Sequence, residues 1–379
     1  VSRTLSAGVL GACLVVAAVA VPGRGSLLQP DEPALSVPVK PDGTGEPFPF
    51  DQFKIQLVRV MNQRNPGLKD AQGKNPDREQ VLARVEPRRR TAKTLPPAEL
   101  TALAADMLRL GNSDAGFFVD EAINLLKPRT GDRAPYYYVF TTLAHLHAAR
   151  GEWAEALTNQ QAVQFGDAEM PAEVKGLTKP QRDWQAKLDI GYVLHYYALH
   201  RREAELKPRP GPEVEEPTPL FPLPLRDVPH NPVRFVNDAG RYEPGRLAAA
   251  EREKLPPDAI AVVQQLLLWF PADTRTYWLL GELYAAEGKL EEAQKIFDEC
   301  VSEARQYGNR KLLMEHRAAV RAAVEARQKA DEEREKEKYP ISLRTVWIYF
   351  AAVVALAVVA AVRVISRRGK ANAAPTGGS

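Results

Sequence analysis

The chain has 379 residues, enough for one large domain or two modest ones. Its 51 basic and 48 acidic residues leave a formal net charge of +3. That balance excludes a dedicated nucleic-acid binder, which concentrates a basic excess on one face. Leu, Ala, Glu and Arg dominate outside the 31 prolines, and no run of alternating β-branched residues stands out, so the expected class is all-α.

Residues 1–20 have the layout of a secretory signal peptide: Arg3, an apolar run from about Ala7, and small residues at Ala18 and Ala20 ahead of a cleavage point. An uncleaved signal anchor is the alternative. Leu10–Gly11–Ala12–Cys13 also resembles a bacterial lipobox, but the apolar run continues past Cys13. The other cysteine, Cys300, falls at a helix packing position, where a thiol behaves as a small hydrophobe.

Residues 21–94 read as a proline-rich and polar extension. Seven prolines between residues 22 and 49 imply an extended spacer with little capacity to form a core. Phe50, Phe53, Leu57, Val60 and Met61 then recur at helical spacing behind Asp51, predicting one short helix that stops at Asn65–Pro66. Residues 67–95, with Arg88–Arg89–Arg90, read as a solvated loop.

From 95 to 206 the pattern is helical. LPPAELTALAADMLRLG places prolines at a helix start and Gly111 at its stop, and DAGFFVDEAINLLK follows as a second helix. Residues 137–170 repeat the hairpin around Gly151, with Phe140, Leu143, Ala144, Trp153, Ala156 and Val163 as core. A helix of roughly 25 residues then carries Trp184, Leu188, Tyr192 and Leu199 along one stripe. His195 and His200 miss the i,i+4 spacing of paired metal ligands, and His145 and His147 face different ways, so no metal is expected.

The segment 207–235 cannot be helix or central strand, since nine prolines fall between 207 and 232. Its Leu220, Phe221, Leu223 and Leu225 suit a strap packed on the helical body; a free linker is the alternative. Helices resume over 236–308, with Ala259, Val263, Leu266 and Leu267 on a buried side, and a charged helix follows over 309–340. Val346 to Val362 contains no charge. From that uncharged run to the whole of 345–365, roughly 17–21 residues of helix would measure about 26–32 Å, which matches a bilayer core of about 30 Å. Trp347 and Tyr349 stand at one end and Arg363, Arg367, Arg368 and Lys370 at the other, leaving 366–379 as a short tail. Basic residues flank both ends, so the N-terminal signal decides the expected topology: a single-pass membrane protein, body extracytoplasmic (periplasmic), C-terminus cytoplasmic.

Residues 274–307 carry Tyr277, Leu280–Gly281, Tyr284, a turn at Gly288, Leu290, Ala293 and Phe297, with Cys300 at a small-residue position. This order of large and small residues resembles the tetratricopeptide repeat, a 34-residue helix–turn–helix unit. Residues 137–170 look like a second copy, with His147 and Gln160 where the family places aromatics. Residues 240–273 match in their second half and 103–136 only around Ala122. The resemblance implies a helical-hairpin solenoid whose first helices line a groove. Carried over by position, that groove would present Tyr138, Thr141 and His145 in one copy and Arg275, Trp278 and Glu282 in the other.

The function this implies is a membrane-anchored scaffold for a protein or peptide partner. A structural or assembly subunit that self-associates as a homo-oligomer is the alternative. An unrecognised enzyme is a remoter one, because the sequence contains no G-x-G-x-x-G, Walker A, H-E-x-x-H, G-x-S-x-G or C-x-x-C. No catalytic residue and no cofactor are expected.

Overall fold

In a computed structural model of the chain, the described residues are 36–371 without 114–115, 134–135, 166–169, 173, 175–176, 207–215, 225–229, 303–309 and 339–342. The signal segment 1–20 and most of the tail 366–379 lie outside them. Two compact units divide at Val320 and Arg321. Both are helical. Among the described residues the one sheet is an antiparallel pair, β1 (Asn112–Ser113) with β2 (Gly116–Phe117).

The first helix, α1 (Phe50–Arg64), lies where the apolar spacing places it and buries Phe53, Leu57 and Val60. The expected loop after it is a helix, α2 (Pro76–Arg90). Pro76 stands in its first turn, and the Asn75 side chain accepts from the Arg78 N–H as N-cap. Only Val81 and Val85 supply buried apolar groups, and Arg78 completes the packing. Its guanidinium, 5 % exposed, donates to the carbonyls of Gln63 at 2.7 Å and Leu110 at 2.8 Å, closing the C-termini of two helices.

Next, α3 (Pro97–Leu110) ends on Gly111, at φ 65°. The helix expected from residue 114 starts later, as α4 (Phe118–Leu126), because Asn112 Oδ1 accepts from the Val119 N–H and β1–β2 uses the intervening backbone. Leu103, Met107, Leu110, Phe118, Ala122 and Leu126 are all buried, as the periodicity predicts.

Two hairpins share one design: α5 (Tyr137–Ala149) with α6 (Trp153–Gln164), and α11 (Thr274–Ala286) with α12 (Leu290–Ser302). Each turns on a glycine at φ 75°, Gly151 or Gly288. In each, the residue after that glycine donates back to a carbonyl five residues earlier: Glu152 to His147 and Lys289 to Tyr284, both at 2.9 Å. Close approach fixes the residue at 281. A Cβ there would stand 2.7 Å from Phe297 Cε1 and 3.0 Å from Ile296 Cγ2, so only Gly281 lets α11 cross α12 at this distance. Ala293, Phe297 and Cys300 are buried on the facing side.

The long helix after α6 is broken in register: α7 (Lys179–Lys187) and α8 (Leu194–Glu205) are joined by a π turn, Leu188–Val193. The wider turn frees the Asp189 carbonyl to accept from Gln160 Nε2 at 2.9 Å, while its carboxylate accepts from the Tyr137 hydroxyl at 2.8 Å. Between α8 and α10 (Ala259–Trp269) the described residues hold a single short helix, α9 (Ala249–Arg252). The stretch 240–273 therefore has no first helix of repeat length.

Two proline-rich segments pack against this body. The strap is real where it is described. Leu220 and Phe221 are buried, Thr218 Oγ1 lies 3.0 Å from Thr276 Oγ1, and the Thr218 N–H donates to the Arg275 carbonyl. The expected N-terminal spacer is also built in, from Ser36 onward. Gln265 Oε1 accepts from Ser36 Oγ and the Val37 N–H, and Gln264 bridges the N–H and C=O of Phe48. Val37 and Phe48 are buried. Backbone groups of an irregular segment satisfied by two buried glutamines explain why α10 is covered on every side.

The charged helix is α13 (Lys311–Lys338), of which the residues to Val320 belong to the first unit. The second unit holds α14 (Leu343–Ala371), 29 residues, over the predicted span 345–365. Its described side chains run from 347 to 363 and all are exposed, among them Trp347, Ile348, Phe350, Val353, Leu356, Val359 and Val362. Among the described residues, no helix is long and apolar enough to cross a membrane.

Candidate functional site: an aromatic cleft

The six positions expected to line a groove are largely covered. Tyr138 is buried and donates to Gln185 Oε1 of α7 at 2.7 Å. Thr141 is buried on the same helix, and His145 lies 3.1 Å from the Tyr197 hydroxyl of α8. Burial draws the His145 imidazole down to about 3 and pushes the Tyr138 phenol up. In the second copy, Trp278 Nε1 donates to Glu282 Oε1 at 2.5 Å, and both residues are 0 % exposed. His316 Nδ1 reaches the same carboxylate oxygen at 2.7 Å, and Tyr242 stacks on the His316 ring at 3.6 Å. Arg275 alone stays partly exposed. It donates to the Glu216 carbonyl of the strap and pairs with Glu203 at 2.6 Å.

The physical reason is the same in both copies. A buried tryptophan, glutamate or histidine needs a polar partner. Here the partners come from α7, α8 and α13 and, for Trp278, from Glu282 of its own helix. The inner face is occupied by the chain itself.

A cavity opens beside His145. Its volume is about 230 Å³, and its lining includes Arg64, Trp153, Tyr196, His200, Phe270 and Asp273. Trp153 stacks on His200 at 4.4 Å, and Tyr196 stacks on Phe270 at 4.7 Å. His145 also lines the cavity and stacks on Phe270 at 5.2 Å. Tyr196 and His200 are four apart on α8, so they face one way. The rim is open: Ala149 and Ala272 are exposed, and Trp153, His200 and Phe270 are half-buried.

Charge in the cleft is uneven. Asp273 is the N-cap of α11 and accepts from the N–H groups of Arg275 and Thr276, from Thr276 Oγ1 at 2.6 Å and from the Tyr196 hydroxyl at 2.8 Å. Its carboxyl is held down to about 2 against the burial that opposes it, by the His200 imidazole beside it and by hydrogen bonds from Thr276. Its negative charge is thus committed to the helix terminus. Arg64 differs. Burial lowers its pKa, and no carboxylate acts in the other direction. Its stem rests against Gly111, which offers no Cβ at that point. His200 Nε2 is buried without a hydrogen-bond partner, 3.6 Å from Asp273 Oδ2.

Of the six expected residues, the structure brings only His145 to this cleft. Arg64, Tyr196, Phe270 and Asp273 carry no signal singled out in the sequence, His200 enters there only as a rejected metal ligand, and Trp153 reads as core. The available signal was the density of rings at Trp153, Tyr196, His200 and Phe270, off the first-helix positions. Among the described residues no three His, Cys, Asp or Glu side chains converge to hold a metal ion. Compared with known proteins, the chain matches no family model, no curated protein and no solved structure.

Proposed function

We propose that the chain is a membrane-anchored scaffold of the tetratricopeptide type, which holds a protein partner through a segment seated in the aromatic cleft. The observation that carries this reading is the cleft itself. A folded helical body closes its inner face with its own residues yet leaves Trp153, His200 and Phe270 half-exposed around a cavity of about 230 Å³. Aromatic side chains with polar edges at a concave surface are the usual anchors of protein recognition. The tetratricopeptide character is supported by the matched turns at Gly151 and Gly288 and by the tight crossing at Gly281.

Membrane attachment would reside in α14. A helix with apolar side chains exposed on all sides satisfies its backbone internally and needs an apolar surround, which lipid supplies. Residues 1–20 would direct export, placing the body outside the cytoplasm and the C-terminus within. Extraction at alkaline pH tests the anchor. The full chain stays in the membrane pellet, and deletion of 345–379 releases it; release of the full chain refutes the anchor. The scaffold role is tested with a photo-cross-linking residue at Ala272, on the exposed rim. A discrete adduct in living cells that disappears with Trp153→Ala supports it. An adduct pattern unchanged by that substitution, or no protein adduct, refutes it.

A further inference from the structure

The cleft combines three features that together narrow its occupant. Its walls carry rings, the Arg64 guanidinium that lines it has no ion-pair partner among the described residues, and it opens to solvent past Ala149 and Ala272. A half-buried guanidinium beside apolar walls is best compensated by an anion. The acid nearest at hand cannot serve, because Asp273 is bonded to Arg275 N, Thr276 N, Thr276 Oγ1 and Tyr196 Oη. Glu203, which stands 3.6 Å from His200 Nδ1, is paired with Arg275. Size then separates the candidates. At about 230 Å³ the cavity is below the range of roughly 300–1,000 Å³ in which drug-sized molecules become largely enclosed. A single large side chain fits it, and the open rim lets the rest of a chain continue into solvent.

Resting on the scaffold reading above, we propose that the cleft takes an acidic peptide segment in which an aromatic side chain stands directly beside a carboxylate. The ring enters the cavity against the half-exposed Trp153, His200 and Phe270, and the neighbouring carboxylate meets Arg64. Trp153 and Phe270 would supply most of the contact area, and Arg64 most of the selection for charge.

The test uses the purified full chain in detergent and fluorescence anisotropy of labelled, acetylated and amidated heptapeptides. The probe is Gly-Ser-Asp-Phe-Asp-Ser-Gly; the comparison peptides replace both Asp with Asn, both Asp with Lys, or Phe with Gly. The Asp-Phe-Asp peptide should bind at least tenfold more tightly than the Asn and Gly versions, and the Lys version should not bind. Arg64→Gln should abolish the preference of Asp over Asn, and Arg64→Lys should retain part of it. Displacement by free phenylacetate at equal concentration would show that the site selects a small carboxylic acid, which overturns the peptide assignment. Equal binding of the Asp and Asn peptides, or a preference that survives Arg64→Gln, overturns it as well. The wild-type comparison among peptides stands even if an Arg64 variant fails to fold. Loss of the charge preference with the Ala272 cross-link intact refutes the ligand class and leaves the scaffold reading standing; loss of the cross-link refutes both.

Discussion

Gly45→Ala should loosen the N-terminal segment from the helical body. The added Cβ would lie 2.5 Å from Trp184 Cη2, 2.7 Å from Trp184 Cζ2 and 2.9 Å from Ala261 Cβ, where ordinary contact begins at 3.4 Å. Trp184 is 0 % exposed and cannot recoil, so the segment must lift by about 0.9 Å, the shortfall at the closest atom. Forcing one methyl into a packed site costs about 1–3 kcal/mol. A small opposing term of about 0.4–1 kcal/mol comes from the reduced freedom of the unfolded chain. Lifting also strains the Gly45 N–H bond to Asp258 and the bonds from Phe48 to Gln264. The two terms leave a loss of up to about 2.6 kcal/mol, to which the strained bonds add, equivalent to a fall in Tm of up to roughly 10 °C for a body of this size. The assay is thermal unfolding followed by circular dichroism, with limited proteolysis of residues 36–49 as a local readout. Gly131→Ala is the control, since nothing lies within 4 Å of a Cβ there. If the two variants have the same Tm and the same cleavage rate, the segment is a spacer after all and its packing contributes nothing.

The remaining predictions probe the crossing, the cap, the covered face and the buried imidazole. Gly281→Ala gains about 1 kcal/mol of helix propensity but meets Phe297 and Ile296, so urea unfolding should show a net loss of about 1 kcal/mol. Arg78→Ala leaves the carbonyls of Gln63 and Leu110 without their donor and should cost about 3 kcal/mol in the same assay. Trp278→Ala removes a fully buried ring and should cost about 3–5 kcal/mol, while the folded fraction binds the acidic peptide as the parent chain does. Acid should destabilise the body through His145, whose folded pKa is depressed to about 3. A group depressed in this way contributes its full stability above the unfolded value of about 6.5, and the contribution falls as protons bind the unfolded chain. At pH 5 the loss is about 2 kcal/mol, read as a fall in Tm between pH 8 and pH 5 that flattens in His145→Leu. His195, held down to about 4, adds in the same direction, and Asp273 adds only below about pH 3.8.

The hairpins were legible because their signals are local. The apolar spacing of α3, α5, α11 and α12, the stops at Gly111, Gly151 and Gly288, and the small residues at Gly281 and Ala293 all act within about 30 residues of sequence. Helix α2 was hidden for a definable reason. Of its 15 residues only Val81 and Val85 are buried apolar groups, and its third buried contact is an arginine. The segment 36–49 was hidden for another. Its attachment runs through backbone groups to Gln264 and Gln265, more than 200 residues away, and prolines alone give no sign of such partners. The cleft draws on α1, α6, α8 and the α10–α11 corner, so no single stretch of sequence contains it.

That distribution bears on how recognition could be encoded. A short helical array has little apolar surface to spare, and two or three hairpins cannot each leave an inner face unpacked and still be stable. This chain covers those faces internally: α7 and α8 over α5, the strap over the start of α11, and the first residues of α13 over Trp278 and Glu282. Each covering contact is a hydrogen bond between a repeat position and a residue outside the repeat pattern. The cleft lies where that cover stops, between Trp153 of α6, the Tyr196–His200 face of α8 and the Phe270–Asp273 corner. Arg64 reaches it from a helix outside both hairpins. Residues that make the hairpins fold, such as Gly281 and Ala293, are therefore separate from residues that would choose a partner. Substitutions at Arg64 or Trp153 can change selectivity without passing through the packing of α11 on α12, and the Gly281 and Arg64 variants should separate stability from binding for that reason.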